Sequence, residues 1–180
     1  MKHPELLIPA SSLEVLKTAV MFGADAVYIG GEAFGLRAKA KNFSMEEIRE
    51  GIAFAHAHDV KVYITANILA HNGDLSGVRA YFEELKEIRP DALIISDPGV
   101  FMIAREVCPE IDIHISTQAN NTNYGTYQFW HQLGARRVVT ARTVYGRAKG
   151  NQGESTGRSG DGDFYPWRNV HFLFRSLPVI

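Results

Sequence analysis

The sequence contains very little cysteine. Cys108 is the only one among 180 residues, so no disulfide can form within the chain, and a fold stabilised by disulfides is excluded. The chain also lacks any apolar run close to the roughly 20 residues of a membrane-spanning helix. Its start, MKHPELLIPA, lacks the long apolar core of a signal peptide. These absences predict a soluble cytoplasmic protein with no membrane partner.

An excess of charge of either sign is missing as well. The formal net charge is -1, so composition gives no bulk electrostatic attraction to nucleic acid or to a membrane surface. Apolar residues make up 46% of the chain, which is enough to build a hydrophobic core, and the length is typical of one domain. Composition therefore predicts a globular domain and leaves its ligand open.

Short apolar runs alternate with helical patterns along most of the chain. Capping residues mark where helices begin, as in the S-x-x-E capping box of Ser44 and Glu47. The predicted strands are Glu5–Ala10, Asp25–Ile29, Val60–Ala66, Ala92–Ser96, Ile111–Thr117 and Arg137–Ala141. The predicted helices between them begin at Ser11 or Ser12, at Met45, Leu75 and Gly99, and at Asn121.

Six strand–helix repeats at even spacing predict an α/β fold with a parallel sheet and right-handed crossovers. A doubly wound sheet and a β/α barrel would both show this pattern. No G-x-G-x-x-G follows the first strand, which weakens the case for a dinucleotide-binding sheet, so we favour a TIM-like barrel. A complete barrel has eight strands, and the expected fold is therefore an incomplete β/α barrel of about six βα units. Its open sheet edges predict self-association.

Polar side chains gather where the predicted strands end. In DIHISTQAN, residues 112–120, alternation places Ile113 and Ile115 on one face and polar side chains on the other. Ligands bind at the carboxyl ends of the strands in parallel α/β folds, so these positions are candidate substrate contacts. The candidates are Asn67, His114, Ser116, Gln118, Asn120 and Arg142. The alternative is a polar barrel interior that satisfies its own hydrogen bonds.

The loop after the second strand adds a group of cations. It carries Arg37, Lys39 and Lys41. They are placed to hold an anionic ligand, and Arg37 joins the candidate substrate contacts, whereas a solvated charged loop is the alternative. No metal site is predicted, because His56 and His58 stand two residues apart on a helix and do not share a face.

Cys108 is predicted to have a packing role. It lies at a helix C-terminus, where the helix dipole disfavours a thiolate. No other residue has a pattern that identifies a nucleophile, so the sequence assigns no catalytic residue.

Several segments together resemble peptidase family U32, the collagenase-like peptidases. In order, they are ELLIPASSLEVLKTAVMFGADAVYIGG, LRAKAKNFS, VYITANIL, ALIISDPGV and IHISTQANNTN. The resemblance runs from about Pro4 to Arg142 and lies in order and spacing, with ASS where the family usually has AGS. It implies a β/α-barrel-like N-terminal domain, here residues 1–142.

The resemblance also implies two different chemistries. Members of the family are called peptidases, whereas several relatives serve oxygen-independent hydroxylation of RNA bases or quinone precursors and carry a four-cysteine iron–sulfur site. The family signature resembles E-x-F-x-x-G-A-M-C with a second cysteine seven positions later. This chain does not contain it. No cofactor or metal is therefore predicted for this chain, and an iron–sulfur cluster is expected only in a full-length member.

Residues 143–180 differ in character from the rest of the chain. Asn151–Asp163 combines glycine, serine and charge without an apolar period. Shifting the reading frame by one base converts PWRNVHFLFRSLPVI into HGAMCISYSGRCLL and GDGDFYP into EMETFIH, and the two together contain the missing signature. We hypothesise a frameshift near Arg142 and Thr143 that truncates the family domain. We also predict that residues 143–180 form a disordered tail.

Three functional hypotheses follow from the sequence and the resemblance. The first is an N-terminal fragment of a U32 peptidase that is inactive as it stands. The second is a fragment of an iron–sulfur-dependent hydroxylation protein that acts on tRNA, rRNA or a quinone precursor. The third is a partial barrel that binds a ligand without turnover, with a non-functional fragment as its limiting case. Peptide or RNA is the expected substrate of a full-length form.

Overall fold

The computed structural model describes residues 5–31 and 42–140, and these form strands and helices in alternation. The strands are β1 (Leu7–Pro9), β2 (Ala26–Gly30), β3 (Lys61–Ala66), β4 (Ala92–Ile95), β5 (Asp112–Ile115) and β6 (Arg137–Val138). The helices are α1 (Leu13–Met21), α2 (Met45–His56), α3 (Leu75–Ile88), α4 (Pro98–Val107) and α5 (Tyr124–Gln132), with a 3-10 turn at Thr117–Ala119.

The six strands form one parallel sheet in which spatial order equals sequence order, β1 to β6. A doubly wound sheet reverses its strand order at a switch point, and this sheet does not. Sequential parallel strands with a helix after each are the arrangement of a β/α barrel. The prediction of an incomplete barrel of about six βα units is confirmed.

The two faces of the sheet differ in composition because side chains alternate along each strand. The outer face carries β-branched and leucine side chains that pack under the helices in the main hydrophobic core. It includes Val27, Ile29, Val62, Ile64, Leu93, Ile95, Ile113 and Ile115. The inner face carries a smaller apolar cluster, made of Leu7, Ala26, Tyr28, Tyr63, Ala92 and Ile94. Functional side chains must therefore be sought on this inner face.

Local hydrogen bonds start α2 and α4 within one residue of the predicted positions, whereas α5 begins at Tyr124, capped by Asn123, and not at Asn121. The Ser44 hydroxyl accepts from the Glu47 N–H at 3.2 Å, and the Glu47 carboxylate accepts from the Ser44 N–H at 2.9 Å, which confirms the predicted capping box. The Asp97 carboxylate caps α4 by accepting from the Val100 N–H, and Pro98 occupies the first turn.

The fifth strand is shorter than the sequence predicts. It ends at Ile115, not at Thr117, because the Ser116 hydroxyl accepts a hydrogen bond from the Gln118 N–H and opens a 3-10 turn. A serine side chain that bonds to the backbone in this way competes with strand pairing. The strict alternation expected as far as Asn120 therefore stops at Ser116.

Several predictions concern parts of the chain that the structure does not describe. Residues 32–41, including Arg37, lie outside the described residues, and so do Arg142 and the whole of 143–180. The frameshift and the disordered tail stay predictions for that reason, and association through the edges of the sheet stays one too. Within residues 5–31 and 42–140, no helix has the length and apolar character needed to cross a membrane.

Candidate functional site

Three neighbouring strands are each followed immediately by a polar residue. Asn67, Ser96 and Ser116 come immediately after the last residues of β3, β4 and β5. Those last residues are in register, since Ala66 pairs with Ile95 and Ile95 pairs with Ile115. Neighbouring strands lie about 4.8 Å apart, so the three side chains stand side by side across the carboxyl edge of the sheet. We call Asn67, Ser96 and Ser116 the polar row.

Alternation places the polar row on the inner face. Asn67 lies four positions after Tyr63, and Ser96 lies four positions after Ala92. Tyr63 and Ala92 both belong to the inner cluster, and residues an even number of positions apart on a strand share a face. Ser116 lies two positions after His114, which contacts Tyr63 on the same face. The row therefore faces the barrel mouth, where β/α barrels hold their ligands.

Asn67 has an amide oxygen that is buried and has no hydrogen-bond partner within the described part of the chain. Leaving a buried acceptor unsatisfied costs about 1–3 kcal/mol, so native proteins rarely do so without a reason. The residue as a whole is half-buried, so part of it remains exposed at the carboxyl edge of the sheet.

The two serines supply hydroxyl groups beside this amide. Ser116 is buried, with its oxygen accepting from the Gln118 N–H at 3.3 Å, so its O–H remains a donor toward a neighbour. Ser96 is half-buried at the end of β4. An amide and two hydroxyls in a row offer both donors and acceptors without a formal charge.

One level below the polar row lies a second set of paired residues. Thr65, Ile94, His114 and Arg137 are in register across β3 to β6. The Thr65 hydroxyl donates to the Ile29 carbonyl at 3.2 Å, and the His114 ring meets the Tyr63 ring edge-on at 4.7 Å. Burial, followed by the positive charges of Arg137, Lys61 and Arg136, lowers the pKa of His114 well below its ordinary value. The imidazole is therefore neutral near pH 7.

At the amino end of the inner face, polar groups satisfy one another. The Arg137 guanidinium donates to both carboxylate oxygens of Glu5, at 2.7 and 3.1 Å, and the Tyr63 hydroxyl donates to the same carboxylate at 3.1 Å. Arg137 also lies 5.6 Å from the Tyr63 ring centre. We call Glu5, Tyr63 and Arg137 the amino-end cluster.

Opposing effects set the ionisation of the amino-end cluster. Burial acts to raise the pKa of Glu5, but the hydrogen bond and charge of Arg137, together with Tyr63, outweigh it and hold the pKa below its ordinary value. Burial raises the pKa of the Tyr63 phenol. The cluster is thus an ion pair with a neutral tyrosine at physiological pH.

The predicted substrate contacts separate into three groups. Asn67 and Ser116 lie in the polar row, and His114 lies one level beneath it. Gln118 and Asn120 leave this face because the strand ends first; both are exposed, and Asn120 has a left-handed backbone with φ of 55°. Arg37 and Arg142 are outside the described residues. Substrate contact by any of these residues stays a prediction.

Sequence reasoning overlooked Ser96 and the pairing of Glu5 with Arg137, although alternation does place Tyr63 on the inward face of its strand. Ser96 had a usable signal, since it follows Ala92 and Ile94 at the same two-residue spacing that identified Ser116. Glu5 and Arg137 gave no signal of their own, because they are 132 positions apart and only the folded sheet brings them together.

The residues of this chain do not fit an iron–sulfur cluster. Such clusters are held by several cysteine thiolates, and the sequence has only Cys108. Its thiol is buried and donates to the Ala104 carbonyl at 3.3 Å, and burial raises its pKa to about 11. Within residues 5–31 and 42–140, no group of three potential His, Cys, Asp or Glu ligands is placed to hold a metal ion.

Curated proteins with similar sequences are named for tRNA hydroxylation. The chain is 46% identical over 141 residues to tRNA hydroxylation protein P1 of Bacillus subtilis, which covers 78% of this chain and 33% of that protein. It is 44% identical over 144 residues to tRNA hydroxylation protein P of Escherichia coli, which covers 80% of this chain and 32% of that protein. The chain thus spans about a third of the length of these relatives.

A solved structure shows the same fold at low sequence identity. The structure of the U32 peptidase Mk0906 superposes with a TM-score of 0.61 at 14% identity, over 78% of this chain and 60% of that one. The model of the peptidase family U32 matches residues 11–146, most of the chain. By this match and by the similarity to the tRNA hydroxylation proteins, the chain belongs to peptidase family U32.

Proposed function

We propose that this chain supplies the β/α-barrel part of a tRNA hydroxylation protein, in which it positions the RNA substrate. The observation that carries the proposal is 46% and 44% identity, over most of this chain, to two proteins that bear that name. This favours the hydroxylation hypothesis over an inactive peptidase fragment. A tRNA substrate also implies a cytoplasmic location.

The geometry is consistent with a positioning role. The polar row offers uncharged donors and acceptors at the barrel mouth, and the hydrophobic core holds the strands that carry it. The net charge of -1 means that RNA would be held through specific contacts more than through overall attraction. We assign no redox step to this chain, because its residues do not fit the iron–sulfur cluster that the family resemblance implies for a full-length member.

A peptidase role has little support from the described side chains. Cys108 is buried at the C-terminal cap of α4, and burial raises its pKa, so its thiolate is scarce and unable to reach a peptide. The Ser12 and Ser44 hydroxyls accept hydrogen bonds at helix starts. The support for a peptidase comes from names, those of the family and of some of the similar proteins.

A chimera tests the proposed function directly. The family-matched segment, residues 11–146, replaces the corresponding segment of the E. coli relative in a strain that lacks its own copy. We expect the chimera to restore hydroxylated nucleosides in tRNA, measured by mass spectrometry of nucleoside digests. The native E. coli protein is the positive control.

Two further strains complete the experiment. This chain expressed alone tests whether residues 1–180 suffice, and a chimera with a scrambled β3–β5 segment tests whether the fold is required. If the first chimera accumulates as a folded protein and the tRNA stays unhydroxylated, the proposal is wrong.

A further inference from the structure

We propose that the polar row binds one edge of an unpaired or extruded nucleobase, with the Asn67 amide making the central contact. The inference rests on the proposed function and names the part of the RNA that this site contacts. Ser96, beside Asn67 after β4, and Ser116, next along the row after β5, are the hydroxyl partners.

The placement of Asn67 is the first argument. Its side chain lies at the carboxyl end of β3 on the inner face, with β4 and β5 alongside it. The amide oxygen lacks a partner within the described residues although it is buried. A ligand at this edge would supply the missing hydrogen bond and recover its cost.

The chemistry of the amide is the second argument. A nucleobase edge presents an N–H donor next to a carbonyl or ring-nitrogen acceptor, and an asparagine amide presents the complementary acceptor and donor. An enzyme that modifies a base must reach it outside the stack, and such sites recognise the base through hydrogen bonds to its edge. Because the polar row carries no formal charge, it is better suited to the neutral edge of a base than to a negatively charged phosphate.

Another asparagine shows what a structural amide looks like in the same molecule. The Asn121 oxygen accepts from the Trp130 indole N–H at 2.9 Å, and its backbone carbonyl accepts from the Tyr127 hydroxyl. These bonds fasten the chain after β5 to α5, even though the Asn121 amide nitrogen has no partner within the described residues. Within residues 5–31 and 42–140, the Asn67 amide oxygen accepts no comparable bond that would stabilise the fold.

The test compares Asn67→Leu with Asn121→Leu. In the chimera, Asn67→Leu should lower kcat/KM for unhydroxylated tRNA by about ten-fold or more, the scale of one lost base contact. In the full chain it should leave the melting temperature unchanged or raised, because it removes an unsatisfied buried acceptor. Asn121→Leu should do the reverse, lowering the melting temperature while sparing kcat/KM wherever the protein is folded.

Two additional measurements make the result specific to a base. Asn67→Asp keeps the shape of the side chain and removes its N–H donors, so it should also lose kcat/KM. Binding of labelled tRNA to the chimera should weaken in Asn67→Leu with an unchanged salt dependence, as expected for a contact that neutralises no phosphate.

The outcomes separate this inference from the function on which it rests. A chimera that fails before Asn67 is altered contradicts the proposed function. An active chimera in which Asn67→Leu keeps full kcat/KM and tRNA affinity overturns only the nucleobase contact. If the chimera cleaves gelatin, and Asn67→Leu abolishes that cleavage while tRNA hydroxylation stays intact, the nucleobase contact is overturned in favour of a peptide ligand.

Discussion

Polar groups at the two ends of the inner face differ in how completely they are hydrogen-bonded. At the amino end, the carboxylate of Glu5 receives three hydrogen bonds from Arg137 and Tyr63. At the carboxyl edge, the Asn67 amide oxygen is buried with no partner in the described residues. In β/α barrels the amino end contributes stability and the carboxyl end carries function. The contrast therefore separates a structural cluster from a candidate binding site.

The amino-end cluster also connects distant parts of the sheet. Glu5 precedes β1 and Arg137 begins β6, the two edge strands of the described sheet. Their ion pair thus spans the inner face, and both side chains are largely buried. A charged pair in such surroundings costs much when one partner is removed, because the other is left buried and uncompensated.

Removal of Arg137 should have the largest effect on stability. Arg137→Met leaves the Glu5 carboxylate buried, with the Tyr63 hydroxyl as its remaining hydrogen-bond partner among the described residues. We expect a loss of about 3–5 kcal/mol in the free energy of unfolding. Urea unfolding of the full chain followed by circular dichroism measures it. Arg79→Met is the matched control, because it breaks a bidentate pair with Glu106 on the exposed surface and should change little.

Exchange of the two charges sharpens the same comparison. The double variant Glu5→Arg with Arg137→Glu should recover part of the stability that Arg137→Met loses, because opposite charges again face each other. If Arg137→Met is no less stable than Arg79→Met, the amino-end cluster does not hold the sheet and the contrast between the two ends fails.

Acid should weaken the fold in two steps. The pKa of His114 is lowered in the folded protein, so below its ordinary value of about 6.5 the unfolded chain binds one proton more. The free energy of unfolding should then fall by up to about 1.4 kcal/mol per pH unit as pH drops. Below about pH 4.5, Glu5 adds a second loss of stability. Its pKa is lower in the folded protein than in the unfolded chain, so the unfolded chain takes up the proton first as pH falls.

Urea titrations between about pH 7.5 and pH 5.5 isolate the first step. His114→Gln should flatten the dependence in this range and keep the loss at lower pH. The free energy of unfolding of the wild type could instead stay constant from neutral pH down to the pH range in which Glu5 takes up a proton. That result would show that His114 does not remain neutral on folding.

The sequence predicted local features well and long-range contacts poorly. Alternation and capping are short-range, so the strand–helix order, the Ser44 capping box and the inward placement of Ser116 followed from spacing alone. The Glu5–Arg137 pair depends on the closure of the whole sheet, which spacing does not reveal. Gln118 does not lie on the inner face because the Ser116 hydroxyl accepts a hydrogen bond from the Gln118 N–H and ends the strand. Strand alternation takes no account of such a local side-chain bond.

The Tyr63 hydroxyl should make a moderate contribution. Tyr63→Phe removes its bond to the Glu5 carboxylate and keeps the ring against His114 and beside Arg137. We expect a loss of about 1.5 kcal/mol in the free energy of unfolding, the usual scale for a hydrogen bond to a charged group. A double-mutant cycle with Arg137→Met measures the coupling, and strict additivity would show that the three side chains do not act as one cluster.

Ser96 should matter least for stability and still matter for the substrate. It is half-buried directly after β4, and its hydroxyl makes no hydrogen bond within the described residues, so Ser96→Ala should shift the free energy of unfolding by less than about 0.5 kcal/mol. If the polar row binds the RNA base, the same change should raise KM for tRNA in the chimera while kcat stays near its original value. Ser76→Ala, on the exposed surface of α3, is the control and should change neither quantity. A Ser96→Ala variant that matches Ser76→Ala in KM would show that Ser96, the middle residue of the row, does not contact the substrate, and would contradict a ligand that spans the row from β3 to β5.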